Sequence, residues 1–102
     1  MNIRIESIHF VADKKLKATI EKRIQKLLQY YDRITNAIVH LKLKNSGQVK
    51  DKIIEIKLMV PGEVLVASGS SKTFENALDQ TLSTIKRNLV RYKETRYSRA
   101  SR

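Results

Sequence analysis

Lysines and arginines at helical spacing near the C-terminus are the residues of this chain best suited to do chemistry. From Thr73 onward, apolar side chains recur at steps of three and four, which is typical of one face of a helix. They are Phe74, Leu78, Leu82, Ile85, Leu89 and Tyr92. Four basic residues lie off this stripe, namely Lys86, Arg87, Arg91 and Lys93. We expect the stripe to pack on a core and the basic side chains to form a cationic face that can hold phosphate groups.

The composition of the whole chain favours a polyanionic partner over simple solvation of that helix face. A charged outer face is ordinary in a helix, and acids near its start and bases near its end complement its dipole. This chain, however, has 21 Lys and Arg against 10 Asp and Glu in 102 residues, which gives a net charge of +11. Such an excess opposes compactness by self-repulsion, and polyanions are its natural partners.

A second cationic face is predicted on a helix near the N-terminus. Asp13 can act as its N-cap, and the helix is expected to run from about Lys14 to Tyr31. Its apolar side consists of Leu16, Ile20, Ile24, Leu27, Leu28 and Tyr31. A helical wheel places Lys22 and Lys26 on the side away from the core, and Arg23 on a flank.

Four other segments alternate apolar and polar residues in the manner of strands with one buried face. They are residues 2–6, 37–44, 53–60 and 63 to about 69. Residues 45–51 are interpreted as a hairpin loop, Pro61-Gly62 suits a type II turn, and Thr73 is a suitable N-cap for the last helix. In the fourth strand, residues 64–67 are all apolar, so that either register could face the core.

The elements follow one another as β-α-β-β-β-α, which predicts an α+β fold with a four-stranded sheet and two helices packed on one face. The helix between the first two strands allows a parallel pair joined by a right-handed crossover, and the short later connections give an antiparallel meander. Each helix has one apolar face, so both are expected side by side on the same face of the sheet. Residues 1–95 are expected to form this single domain, and residues 96–102 a basic, flexible tail.

Catalysis is not predicted. The chain has no cysteine and only three glycines, and its two histidines, His9 and His40, are far apart in sequence. Cysteine metal sites and glycine-rich phosphate loops are therefore excluded, and Ser68, Ser70 and Ser71 have no catalytic base nearby in sequence. We predict no enzyme activity, no cofactor and no metal. No stretch resembles a signal peptide or a membrane span, so a soluble cytoplasmic protein without a membrane partner is expected.

Two common kinds of RNA-binding surface are not predicted for this chain. Stacking of bases on a sheet requires aromatic residues on its central strands, but the four tyrosines and two phenylalanines all lie outside strands two to four. The Gly-x-x-Gly loop of KH domains is also absent from the sequence. Two adjacent cationic helices remain, a surface suited to the phosphates of a structured RNA and to reading its shape.

Four segments, in their order and separation, carry a family resemblance. They are LLQYYDRI at residues 27–34, the Ala67-Ser68 step, Ala77-Leu78-Asp79, and KRNLVRYK at residues 86–93. With the order of elements, they resemble the ribosome hibernation-promoting factor family, also called ribosome-associated inhibitor or sigma-54 modulation protein. The resemblance extends from Ile3 to Lys93.

This resemblance implies binding to the small ribosomal subunit and its rRNA, in the channel for tRNA and mRNA. Translation would be inhibited and idle ribosomes preserved in stationary or starved cells. Carried over by position, the family's basic residues fall on Arg23, Lys26, Arg87, Arg91 and Lys93. Lys22 and Lys86 are added from the helical wheels. Relatives often have Asp-Lys where this chain has Ser83-Thr84, so one phosphate contact is expected to be missing or moved to Lys86.

The chain resembles the short form of the family, whose members rely on a separate protein to dimerise ribosomes, although some relatives hold ribosomes as monomers. We expect the protein itself to be monomeric off the ribosome. Two alternatives stay open. One is a general module for double-stranded or structured RNA, because an α-β-β-β-α core remains if the first strand is ignored. The other is docking of the basic face on an acidic protein such as a transcription factor.

Overall fold

The computed structural model describes the backbone of residues 1–46 and 49–100, and the side chains of these except at positions 45, 46, 49, 50 and 97–100. The elements in chain order are β1 (Asn2–Ser7), α1 (Lys14–Gln25), a 3₁₀ turn (Lys26–Gln29), β2 (Asn36–Ser46), β3 (Val49–Val60), β4 (Glu63–Ser71) and α2 (Phe74–Ala100). The strands form a four-stranded sheet in the order β1-β2-β3-β4. The predicted β-α-β-β-β-α order and α+β class are confirmed.

Strand pairing sets the direction of the two helices. β1 and β2 are parallel, whereas the β2–β3 and β3–β4 pairs are antiparallel. β1 and β4 therefore run the same way, and α1 and α2, which follow them on the same sheet face, also run the same way. Residues late in α1 and in its 3₁₀ turn consequently lie beside residues in the middle of α2.

The core lies between one face of the sheet and the two helices. Its strand residues come from alternate positions, for example Val39, Ile54 and Ile56, all of which are fully buried. In β4, Leu65 and Ala67 are buried while Val64 and Val66 are 51% and 50% exposed, which settles the register that the sequence left open. The helices contribute Ile20 and Ile24 from α1 and Leu78, Ile85 and Leu89 from α2. The prediction that both helices pack on one face is confirmed.

Local caps start both helices where the sequence predicts. A carboxylate oxygen of Asp13 accepts a hydrogen bond of 3.1 Å from the Lys15 N–H, and Thr73 Oγ1 accepts one of 3.1 Å from the Asn76 N–H. These bonds satisfy N–H groups that have no partner within the helix. Gly62 has φ +77°, as the third position of the predicted Pro-Gly turn requires.

The end of the first helix differs from the prediction. α1 ends at Gln25 and the chain tightens into the 3₁₀ turn, instead of continuing as α-helix to Tyr31. The Tyr30 N–H donates to the Leu27 carbonyl at 3.0 Å, a bond of the tighter 3₁₀ spacing that is common at helix ends. The apolar periodicity of three and four does not distinguish this turn from α-helix, because it keeps Leu27 buried as well.

The β2–β3 hairpin is longer than predicted. Residues 45–51 were interpreted as a loop, yet β2 continues to Ser46 and β3 begins at Val49, with Lys44 opposite Asp51 and Ser46 opposite Val49. Backbone hydrogen bonding extends the ladder beyond the part of the hairpin that covers the core, so apolar alternation is no guide there. The centre of the predicted loop, residues 47 and 48, lies outside the described residues.

The predicted boundary of the C-terminal tail falls inside α2. The helix extends to Ala100, so the backbone of residues 96–100 continues it, while residues 101 and 102 of the predicted tail lie outside the described residues. The division into a domain of residues 1–95 and a flexible tail stays a prediction.

Candidate nucleic-acid interface

The outward side of α2 carries the densest set of basic side chains predicted from the sequence. Lys86, Arg87 and Arg91 are exposed, and with Ser83, Val90 and Glu94 they line a shallow groove along the helix. We call Lys86, Arg87 and Arg91 the α2 basic face. Among the described residues, neither Arg87 nor Arg91 forms an ion pair with a carboxylate. Their guanidinium groups can therefore bind an external anion without first losing an internal one.

Lys86 connects the α2 basic face to the first helix. Its ammonium lies 4.6 Å from the centre of the Tyr30 ring, immediately after the 3₁₀ turn. A cation over an aromatic face is attracted by the negative centre of the ring. The contact thus brings the end of the first helical segment against the middle of α2.

The three basic residues predicted on the first helix have different environments. Lys22 and Lys26 are exposed, as predicted. Lys22, however, lies beside Met1 and Ile3 on the β1 side of α1, away from α2. Arg23 is partly buried and forms an ion pair with Asp79 of α2. Lys26 lies four residues before Tyr30, whose ring contacts Lys86 of the α2 basic face, whereas Arg23 already has an internal partner.

Lys93 and the substituted pair Ser83-Thr84 complete the predicted site. Lys93 is partly buried on α2, unlike the exposed Arg87 and Arg91. Ser83 lines the groove beside Lys86, while the Thr84 hydroxyl donates to the Gln80 carbonyl at 3.1 Å. Of the pair, Ser83 lines the groove, whereas the Thr84 hydroxyl is bonded within the helix.

Two aromatic residues and an arginine fix the C-terminal half of α2, a role that the sequence did not reveal. The Tyr92 hydroxyl donates to the Pro61 carbonyl at 2.6 Å, and its ring meets Tyr31 edge-on at 5.4 Å between centres. Burial raises the pKa of the Tyr92 phenol, and the neighbouring Tyr31 phenol raises it further. Arg96 donates to the same carbonyl at 3.3 Å, with its guanidinium carbon 5.5 Å from the Tyr92 ring centre. Arg96 thus packs on the turn that joins β3 and β4.

The open face of the sheet, opposite the helices, differs in charge from the helical face. His40 Nε2 lies 3.1 Å from Glu6 Oε2, and its Nδ1 lies 3.7 Å from Glu55 Oε1. Lys42 Nζ is 3.5 Å from another oxygen of Glu55. Acidic and basic side chains alternate across three strands there, so this face is mixed in charge whereas the helical face is cationic. His40 and Lys42 thus lie on the open face of the sheet.

Searches for two other kinds of site are negative within the part of the chain that the structure describes. No group of His, Asp and Glu side chains there has the arrangement of a metal site. None of the described helices combines the length and apolar character needed to span a membrane.

The chain is similar to a known protein family. Residues 3–97 match the family described as Sigma 54 modulation protein / S30EA ribosomal protein. The chain is 24% identical to the ribosome hibernation promoting factor of Pseudomonas putida over 98 residues, which cover 96% of this chain and 92% of that protein.

Two solved structures share the fold. A ribosomal subunit interface protein from Coxiella burnetii superposes with a TM-score of 0.83 at 19% identity, covering 92% of this chain and 99% of that one. The N-terminal domain of Thermus thermophilus Protein Y superposes with a TM-score of 0.72 at 18% identity, covering 90% and 99%. The family resemblance seen in the sequence is confirmed. The chain belongs to the Sigma 54 modulation protein / S30EA ribosomal protein family, a family of ribosome-associated factors and not of enzymes.

Proposed function

We propose that the protein is a ribosome hibernation factor that binds rRNA of the small subunit through the helical face, in the channel that tRNA and mRNA would occupy. The observation that carries this proposal is the α2 basic face, where Arg87 and Arg91 are exposed without carboxylate partners among the described residues. Bound there, the protein would inhibit translation and preserve the idle ribosome. The names of the Pseudomonas and Coxiella relatives support the choice of a ribosomal partner.

The chemistry of the interface is neutralisation of phosphates. Lys26, Arg87 and Arg91 project from a rigid pair of helices, so their charges are held at fixed spacing without a large loss of backbone entropy on binding. Planar guanidinium groups form paired hydrogen bonds with phosphate oxygens, which Lys86 and Lys93 complement as point charges. Lys22, on the β1 side of α1, would add a point charge at a separate position. Contacts of this kind recognise the shape of a folded RNA more than its sequence.

The net charge of +11 also bears on the partners. Copies of the chain repel one another, which favours a monomer off the ribosome. Pairing of ribosomes would then require a separate dimerising protein, since the cationic surface is occupied by rRNA. A cytoplasmic location follows from a ribosomal partner.

A charge-reversal experiment tests this interface. We expect Arg87→Glu/Arg91→Glu to abolish binding to purified small subunits, because two attractive phosphate contacts become repulsive. The fold should survive, since both side chains are exposed. The matched control is Lys44→Glu/Lys57→Glu, which makes the same charge change on the open sheet face. Binding is measured by fluorescence anisotropy. Equal loss of binding in the two double variants would show that binding depends only on net charge, and it would contradict a binding site on α2.

A further inference from the structure

Tyr30 presents an aromatic ring between the basic residues of the two helices. It is 36% exposed, although the next residue, Tyr31, packs edge-on against Tyr92. The Tyr30 N–H donates to the Leu27 carbonyl at 3.0 Å, which fixes the backbone immediately after the 3₁₀ turn. The ring is therefore held at the surface by a rigid segment, and core packing does not account for it.

The ring face is covered by a group that RNA can displace. Lys86 Nζ lies 4.6 Å from the ring centre. An exposed cation–π contact raises the equilibrium constant for its own formation by a factor of only about 2 to 5. A nucleobase stacked on an aromatic side chain raises the affinity for the nucleic acid by about 5- to 150-fold. A base therefore displaces the ammonium, which is then free to bind a phosphate.

We infer that the Tyr30 ring is a stacking site for an unpaired nucleobase, with Lys86 moving from the ring to the phosphate of that nucleotide. The inference rests on the proposed function and adds to it a preference for an unstacked base beside a structured RNA. Lys26, at the start of the 3₁₀ turn four residues before Tyr30, is exposed and can supply a second phosphate contact. Stacking tolerates any base, because every base has an aromatic face.

Measurements of affinity for free RNA distinguish the contribution of base stacking from that of charge. The probes are a single-stranded RNA of about ten nucleotides and an abasic strand of the same length and charge. We expect Tyr30→Leu to weaken binding of the first about 5- to 150-fold and to leave the abasic strand unchanged, while Tyr30→Phe binds both like the parent protein. Arg87→Gln should weaken both strands and reduce the salt dependence, which Tyr30→Leu should not. Equal affinity of Tyr30→Leu and the parent for the base-containing strand would overturn the inference.

Tryptophan fluorescence gives a second test of stacking at residue 30. The chain contains no tryptophan, so Tyr30→Trp introduces a single indole reporter. Stacking should quench its fluorescence on addition of the base-containing strand but not of the abasic strand. Glu75→Trp, an exposed position in the first turn of α2, is the control and should show no base-dependent quenching. Identical responses of Trp at the two positions would contradict stacking at residue 30.

Small-subunit binding distinguishes failure of this inference from failure of the proposed function. If the parent protein binds the subunit and Tyr30→Leu binds it equally well, the stacking site is wrong while the proposed function stands. If the parent does not bind the subunit, the proposed function fails, and the two free-RNA measurements still decide whether Tyr30 stacks a base. The supporting result is a loss of about 5- to 150-fold for Tyr30→Leu on the subunit.

Discussion

The Tyr92 hydroxyl shows how a single residue on the apolar stripe of α2 also makes a polar connection. It donates to the Pro61 carbonyl at 2.6 Å while its ring packs in the core, 6% exposed. Burial raises the pKa of this phenol. An unfolded tyrosine ionises at pH about 10. The stabilising effect of the neutral buried phenol is therefore complete below that pH, and it is lost as the pH rises from about 10 toward the higher folded-state pKa.

Replacing Tyr92 with Phe separates these contributions. Near neutral pH we expect the free energy of unfolding to fall by about 1 kcal/mol, because one hydrogen bond is lost while Arg96 still donates to the Pro61 carbonyl. Above pH about 10, Tyr92→Phe should lose stability less steeply than the parent. Urea denaturation at both pH values measures this, with Tyr30→Phe as a control at an exposed phenol. Parallel pH dependences of Tyr92→Phe and the parent would contradict the assignment.

Gly69 marks the closest approach of α2 to the sheet. A Cβ at this position would lie 2.6 Å from Thr81 Oγ1 and 2.9 Å from the Ala77 carbonyl oxygen. Thr81 is fully buried, and its hydroxyl donates to Ala77 O at 2.7 Å and lies 3.4 Å from Ile54 O. The new methyl group would meet a backbone atom of α2 as well as a side chain. The Ala77 carbonyl oxygen can move away only if the helix itself moves.

We therefore expect Gly69→Ala to destabilise the fold by about 1–3 kcal/mol, the usual cost of overpacking. Thermal unfolding should show a lower midpoint than in the parent, and Ser68→Ala, an exposed neighbour on the same strand, should leave the midpoint nearly unchanged. An unchanged midpoint for Gly69→Ala would mean that α2 lies farther from β4 than described. The sequence could not predict this contact, because the separation of helix and strand depends on the whole core.

At the scale of elements, the Arg23–Asp79 ion pair joins α1 to α2. The side chains are 39% and 60% exposed, so the pair is expected to stabilise the fold by less than about 1 kcal/mol. The pair matters more for the proposed function, in which Arg23 would contact rRNA, because Asp79 neutralises this cation. A helical wheel places Arg23 on a flank but cannot show that an acid from the other helix meets it.

Removal of the Asp79 charge should therefore strengthen RNA binding. In Asp79→Asn, Arg23 is released and we expect affinity for small subunits to rise, about threefold at low salt, as for the loss of one exposed ion pair. Arg23→Gln should weaken binding less than Arg87→Gln, because Arg23 is paired with Asp79 whereas Arg87 has no carboxylate partner among the described residues. Equal effects of the two arginine substitutions, measured by titration, would mean that RNA displaces Asp79 at little cost.

The elements themselves were predictable where local chemistry determines them. Asp13 and Thr73 were identified as caps because a capping side chain acts within three residues of its own position. The transition to 3₁₀ geometry after Gln25 and the length of the β2–β3 hairpin were not predicted. Both depend on hydrogen bonds that the periodicity of apolar residues does not encode, one to a nearer carbonyl and the other to a partner strand.

At the scale of the whole molecule, the fold separates two kinds of surface. The helical face carries Lys26 and the α2 basic face, whereas the open sheet face pairs His40 and Lys42 with glutamates. The sequence predicted this separation, since both amphipathic helices had to cover the same side of the sheet. The ion pair of Arg23 with Asp79 was not predictable, because it depends on how the two helices are placed relative to each other.

Such a surface should bind RNA with a strong dependence on salt. If about six phosphates are contacted, affinity should fall about a thousandfold between low and moderate salt, because neutralised phosphates release condensed counterions. Arg87→Gln should reduce the slope of log affinity against log salt by about one. Anisotropy titrations at several salt concentrations give both values, and an affinity independent of salt would exclude phosphate neutralisation as the source of binding.

The most direct test of the central claim is co-sedimentation with separated small subunits, large subunits and whole ribosomes, at low and high salt. We expect the protein to pellet with small subunits and whole ribosomes at near-equal stoichiometry, to be released at high salt, and to be excluded by tRNA bound beforehand. Equal pelleting with both subunits, or pelleting that bound tRNA does not affect, would contradict binding in the tRNA and mRNA channel.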